Sequence, residues 1–371
     1  MAGVSDAGAD ATISLILRDI GDNKLDEALA RTDNLLRLYP NFRLAHLIRG
    51  DLLVARFAPL QGFGNNAQIP NGKLADLREE AIARLRGYSG RPTQEQVPRY
   101  LLQMPEDQKH AIVVDTQQSR LYLYRNDKGH PKFVADFYIT QGKLGAEKTR
   151  EGDKRTPIGV YHVTSRLSRE KLGDFYGVGA FPISYPNEWD RINGRDGHGI
   201  WLHGVPSDTY SRPPKASDGC VVLANEDLTT LSSYVQIGVT PVIISASVEW
   251  QTEDDWQAER NALNTELENW RRDWESRDVE KYLQHYSSSF RSSDYNFAGW
   301  AQQKRTVASA KTWIKVGMNQ VSMFRNPGKQ DVVVVTFQQD YRSNNLNNIA
   351  QKRQYWIKEG GQWKIVYEGA A

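Results

Sequence analysis

The hydrophobic pattern of the chain changes period twice, and this limits the folds open to it more than any other feature. Up to about residue 90 apolar residues recur at helical spacing. In LDEALARTDNLLRLYPNFRLAHLIRG, Leu25, Ala28 and Leu29 are followed by Leu35 and Leu36, Pro40 and Asn41 interrupt, and a second stripe starts at Leu44. From residue 110 the pattern is that of strands. HAIVVDTQQSRLYLYRNDKG holds two β-rich runs around a polar turn, and KFVADFYITQG, RTPIGVYHV, FPISYP, GIWLHG and TPVIIS follow, joined by glycine-rich connections. At 248 the composition shifts to Trp, Glu and Arg in a helical register, and strands return towards the end. A chain of 371 residues exceeds one ordinary core. These breaks predict a multidomain protein: a helical region over 1–95, a β-rich domain over 108–246 and an α+β domain over 250–371.

The first region resembles one tetratricopeptide-like helical hairpin. A single such unit needs a neighbour to bury its apolar face, so it is a cap on the next domain or a homodimerisation element. The segment PLQGFGNNAQIPNG (59–72) reads as a loop, LADLREEAIARLRGY as a further helix, and SGRPTQEQVP (89–98) as a linker. In the last region a long helix is followed by a shorter one starting near Ser276, with Ser276 and Asp278 as N-cap candidates. Three strand-forming runs then complete a curved antiparallel sheet. The stretch WRRDWESRDVEKYLQHYSSSF resembles the nuclear-transport-factor-2-like fold, a cone, over roughly 260–371. Trp256, Trp270 and Trp274 are expected in helix packing, and Tyr341, Tyr355 and Trp356 are candidates to line the cone. Such a domain would receive substrate or an envelope protein partner.

Net charge is +2, which gives no electrostatic case for nucleic acid. No run of about 18 apolar residues is present, so no transmembrane helix is expected. MAGVSDAGADATISL lacks the basic start and apolar core of a signal peptide.

Cys220 is the one cysteine of the chain, in SDGCVVLAN. It is either a small buried hydrophobe or a reactive thiol. His203, 17 residues earlier, ends the run IWLHG. Alternation along a strand puts Trp201 and His203 on one face and Ile200 and Leu202 on the other. A thiol becomes a nucleophile when a base lies within hydrogen-bond reach. Gly219 lets the backbone turn tightly and exposes successive N–H groups that suit an oxyanion hole. Spacing alone leaves the buried and the catalytic readings open. His198 is a rival base, though its glycine-flanked loop favours a surface or substrate-loop role. His198 and His203 lack a third ligand, so no metal is expected.

The pattern His203-Gly204 … Ser217-Asp218-Gly219-Cys220 resembles the signature of the L,D-transpeptidase (YkuD) family, and the block from Gly152 to Tyr161 (GDKRTPIGVY) agrees with it independently. The resemblance implies an enzyme acting on peptidoglycan stem peptides without a cofactor. Cys220 would attack the carbonyl of the third residue, diaminopimelate, and expel the fourth, D-alanine. His203 would be the base, with the Gly204 carbonyl holding its tautomer. Gly219 and Cys220 N–H groups, with Asp218, would form the oxyanion hole. Lys154, Arg155, Tyr185, His198, Trp201 and Ser217 are candidate substrate contacts. The acyl-enzyme is resolved by water, as in an L,D-carboxypeptidase, or by an amine, as in a transpeptidase. The sequence departs from the family pattern at Asp218, where histidine is usual, and at Val222, where arginine or asparagine is common. Both departures weigh against ordinary cross-linking. The domain order resembles that of cell-shape-determining L,D-carboxypeptidases. The alternatives are a non-catalytic murein-binding scaffold and an enzyme of lipoprotein–peptidoglycan links. The substrate places the protein in the periplasm or cell envelope.

Overall fold

The computed structural model describes residues 8–59, 62–64, 70–93 and 95–371. Half of the expected 59–72 loop, Gln94 of the expected linker and the first seven residues of the chain lie outside the described residues. The chain divides into two compact units.

The first unit takes in residues up to 91, 110–124 and 133–247. It opens with α1 (Ala9–Gly21), α2 (Leu25–Leu38), α3 (Arg43–Ala55) and α4 (Asn71–Ser89). The predicted hairpin is α2–α3, and α1 packs on α2 and α4. Their stripes, among them Ile13, Ala28, Leu35, Leu44 and Ile48, form one core that includes Tyr210 and Ala224 of the β-rich segment. The hairpin thus buries its face within its own unit.

Beside this core lies a network of charges. Asp10 takes ion pairs from Arg84 and Arg120, Arg120 also pairs with Asp136, and Arg84 lies 2.9 Å from Glu80. The side chains of Arg84 and Arg120 are 3% and 0% exposed, so their charges are tolerable only because carboxylates meet them. Burial would raise the Asp10 carboxyl, but the two guanidiniums outweigh it and hold it down to about 2.

Five strands form one sheet in the order 130–138, 120–127, 110–115, 241–245, 159–162. Strand Pro241–Ser245 is buried along its whole length between a parallel and an antiparallel neighbour, which explains its unbroken apolar run PVIIS. A second, short sheet runs 221–222, 201–203, 179–182, 167–168. Both sheets feed one core with Val114, Leu123, Phe181, Leu202, Val221 and Ile244. Two helices, α5 (Glu188–Ile192) and α6 (Asn225–Ser232), complete the unit.

The second unit takes in 92–109, 125–132 and 248–371. It holds α7 (Glu253–Ser276), α8 (Val279–Leu283), α9 (Phe297–Ser309) and a six-stranded sheet in the order 286–291, 362–370, 347–359, 332–343, 314–326, 101–103. Asp278 caps α8, accepting the Lys281 N–H at 3.2 Å, whereas Ser276 is the last residue of α7. The expected linker ends in a strand, Gln96–Pro98, paired with Trp250–Thr252. The Trp256 indole donates to the Leu101 carbonyl at 2.7 Å and ties α7 to the edge strand. Trp270 and Trp356 lie in the core, Tyr355 is also buried, and Trp274 is half-buried against Tyr341.

Candidate active site

The strand Trp201–His203 runs parallel to Val221–Val222, with Leu202 opposite Val221 and His203 opposite Val222. Leu202 and Val221 both point into the core. Alternation sends His203 and Val222 to the other side, and Cys220 directly precedes the strand Val221–Val222. The pairing therefore closes the 17-residue return between His203 and Cys220 seen in the sequence.

His203 is buried, and its Nδ1 lies 2.6 Å from the Gly204 carbonyl oxygen. A carbonyl only accepts, so the proton sits on Nδ1 and Nε2 is left as an acceptor. Burial pushes the imidazole down to about 4; the Gly204 carbonyl opposes this and the Arg212 charge adds to it. At neutral pH the ring is therefore an uncharged base. The Tyr176 ring meets it edge-on at 5.1 Å, and Phe175 lies 6.0 Å away. Tyr176 also stacks at 5.0 Å on Trp201, which is half-buried on the same face as His203, as alternation predicts.

Asn225, the first residue of α6, fixes the peptide that holds the histidine. Its side-chain oxygen accepts from the Val178 and Val205 N–H groups at 3.1 and 3.2 Å, and its amide donates to the Val205 carbonyl at 2.9 Å. A Cβ on Gly204 would stand 2.2 Å from that oxygen, so only glycine lets the loop lie this close.

The Cys220 thiol is half-buried and donates to the Gly199 carbonyl at 3.4 Å. Burial pushes its pKa up, a backbone bond from Trp201 opposes, Asp218 raises it further, and Arg212 and Lys148 lower it. The turn in front of it is stapled twice. Ser217 Oγ donates to the Cys220 carbonyl at 2.6 Å and accepts the Gly219 N–H at 3.1 Å. Thr156 Oγ1 donates to the Gly219 carbonyl at 3.0 Å and accepts the Gly142 N–H at 2.9 Å. Gly219 has φ +131°, and a Cβ there would lie 2.7 Å from the Arg155 carbonyl oxygen.

Of the expected oxyanion donors, the Cys220 N–H makes no hydrogen bond among the described residues, while the Gly219 N–H is engaged by Ser217. The Asp218 carboxylate is exposed and pairs with Lys143 at 3.0 Å. Ser217 is thus spent within the turn. Arg155 donates to the Ala146 carbonyl at 2.9 Å, and Lys154 is exposed at φ +55°. Asp153 organises this block by accepting from Lys148 Nζ and from the Thr149, Arg150 and Arg155 N–H groups. Tyr185 is buried, with its hydroxyl on the Asp196 carbonyl at 2.6 Å. His198 is exposed, 3.6 Å from Glu151. Among the described residues no group of three or more His, Cys, Asp or Glu side chains is placed to hold a metal, and no helix is long and apolar enough to cross a membrane. Sequence reasoning passed over Asn225, Thr156, Phe175, Tyr176 and Arg212. Thr156 lay inside the quoted GDKRTPIGVY block, and Arg212 sat in a stretch that reads only as a turn.

Comparison with known proteins adds to this geometry. Residues 109–244 match the L,D-transpeptidase catalytic domain (YkuD), and residues 262–369 match the Cds6 C-terminal NTF2-like domain. The structure is similar to that of Bd1075 from Bdellovibrio bacteriovorus, at 30% identity and a TM-score of 0.66, covering 74% of this chain and 98% of that one. It shares a fold with the helical cell shape determining protein Pgp2 from Campylobacter jejuni, at 24% identity and a TM-score of 0.62, covering 73% of this chain and 95% of that one. The probable L,D-transpeptidase ErfK/SrfK of Escherichia coli is 27% identical over 166 residues, 43% of this chain. The match spans 51% of that protein, about half its length.

Proposed function

Since this chain belongs to the L,D-transpeptidase (YkuD) family and carries an NTF2-like domain of the Cds6 type, we propose that it is a peptidoglycan-modifying cysteine acyltransferase. The observation that supports this reading is the pairing of the strand that ends in His203, with its proton locked on Nδ1, to the strand that starts directly after the lone Cys220. On substrate entry His203 Nε2 takes the thiol proton. The thiolate attacks the carbonyl between diaminopimelate and the terminal D-alanine of a tetrapeptide stem. The Cys220 N–H donates to the oxyanion; one such donor is worth about 10²–10³ in rate. Collapse breaks the C–N bond, and His203 returns its proton to the departing D-alanine amine. Water, or an amine, then attacks the thioester with His203 again as base and restores the thiol. We assign the product to hydrolysis in the first instance, because of the domain order, and the site of action to the periplasm or cell envelope. The three domain limits of 1–95, 108–246 and 250–371, a homodimer through α1–α4 and an envelope partner at the C-terminal domain belong to the same proposal.

One observation favours a second reading, a murein-binding scaffold: the thiol donates to Gly199 and not to His203. The deciding experiment is mass spectrometry of disaccharide-tetrapeptide muropeptides with the wild type and with Cys220→Ala. Tripeptide from the wild type alone is the expected outcome. New 3–3 dimers would make it a transpeptidase. Equal conversion by Cys220→Ala would refute the mechanism, and no conversion by either would favour the scaffold.

A further inference from the structure

The side chain of Arg212 has no role in the chemistry above, yet it is held where its charge acts on both reacting groups. Its backbone is fixed by the preceding β-segment: the Tyr138 hydroxyl and Thr140 Oγ1 both donate to its carbonyl, at 2.9 and 3.0 Å. Two prolines, Pro213 and Pro214, follow and stiffen the run. The guanidinium lies over the Phe175 ring with 4.6 Å between its carbon and the ring centroid, and Phe175 in turn lies 6.0 Å from His203. Stacking on an aromatic face occupies the flat side of a guanidinium and leaves the N–H donors at its edge.

Those donors have no acceptor among the described residues. Asp218, the nearby carboxylate whose charge Arg212 feels, is in an ion pair with Lys143. Arg155, by contrast, has its guanidinium engaged by the Ala146 carbonyl. A half-buried, positioned and unpaired guanidinium beside a nucleophile is built to receive an anion. Its planar fork matches a carboxylate with two parallel hydrogen bonds. In a stem peptide the terminal carboxylate of the fourth residue lies one residue, about 3.8 Å of chain, beyond the scissile bond.

We propose that Arg212, stacked on Phe175, is the receptor for the free C-terminal carboxylate of the donor peptide. This rests on the peptidoglycan reading above and names the part of the substrate that the site requires. It makes the site selective for a free chain end over a capped or extended one.

The test uses the full chain carrying Cys220→Ala, so that binding is read without turnover. Calorimetric titration compares a tetrapeptide stem with a free C-terminal acid against the same peptide as its C-terminal carboxamide. Hydrogen bonds to a charged group imply that the acid binds about 10- to 100-fold more tightly. Adding Arg212→Gln should erase that preference, and Arg212→Lys, which keeps the charge without the fork, should keep part of it. The ligand change alone probes the site without touching the fold. Equal affinity for acid and amide, no binding of either, or an undiminished preference in Arg212→Gln would overturn the assignment. Turnover is read apart: a preference that depends on Arg212, in a wild type that converts no muropeptide, would retire the enzymatic reading and leave the carboxylate site standing.

Discussion

Replacing Asp10 by Asn tests whether the ion network of the first unit holds α1 and α4 on the sheet. Among the described residues Asp10 is the one carboxylate that pairs with both Arg84 and Arg120. Two routes give the size of the effect. The first is linkage: a carboxyl moved from 3.8 to about 2 contributes about 2 kcal/mol at neutral pH, at 1.36 kcal/mol per unit. The second is the cost of stripping a buried charge of its partner, about 3–5 kcal/mol. Each arginine keeps one other carboxylate, Glu80 for Arg84 and Asp136 for Arg120, which favours the lower part of that range. The expected loss is therefore about 2–4 kcal/mol. Two units need not unfold together, so the readout is amide hydrogen exchange in α4 and in strand 110–115 across a urea series. The pH dependence gives an internal control. The folded pKa is depressed, so the stabilisation is full above about pH 4 and is lost as pH falls towards 2. Wild type and Asp10→Asn should converge over that window. A loss below about 1 kcal/mol at neutral pH, against the roughly 2–4 expected, or a difference that stays constant down the acid limb, would refute the argument.

Two further outcomes follow from the turn before Cys220. Gly219→Ala should fold but lose about 10²–10³ in turnover, because a Cβ at that φ meets the Arg155 carbonyl and shifts the Cys220 N–H; muropeptide turnover within tenfold of wild type, at an unchanged unfolding temperature, would contradict this. Asp218→Asn removes a charge that raises the Cys220 thiol, so the midpoint of its iodoacetamide reactivity against pH should move down; a midpoint that holds or rises would show that the Lys143 pair already cancels that charge.

The readable parts of this chain were those with a local signature. The stripes of α2 and α3, the break at Pro40 and Asn41 and the opposed faces of Leu202 and His203 all repeat within a few residues, where helix or strand period shows. His203 and Cys220 were marked by a family motif. The Asp10–Arg120 pair has no such mark, because its members are 110 residues apart and each alone resembles a solvated charge. The strand 101–103 was missed since three residues are too few to display alternation. Ser217, a candidate substrate contact, bonds to backbone groups of the turn before Cys220. Short polar side chains next to a tight turn compete for just those backbone groups. Arg212 hid in RPPK, where prolines announce a turn and say nothing of which charge it presents.

The resting state of Cys220 bears on how the molecule survives oxidants. Peroxides and disulfides consume thiolates, and a sulfenic acid is rescued most directly by a second, resolving thiol. This chain has one cysteine and therefore no internal resolving partner. Its burial pushes the thiol pKa up and so keeps the sulfur protonated at neutral pH. A protonated sulfur reacts slowly with such oxidants, so the resting thiol is chemically quiet despite the lack of a second cysteine in this chain.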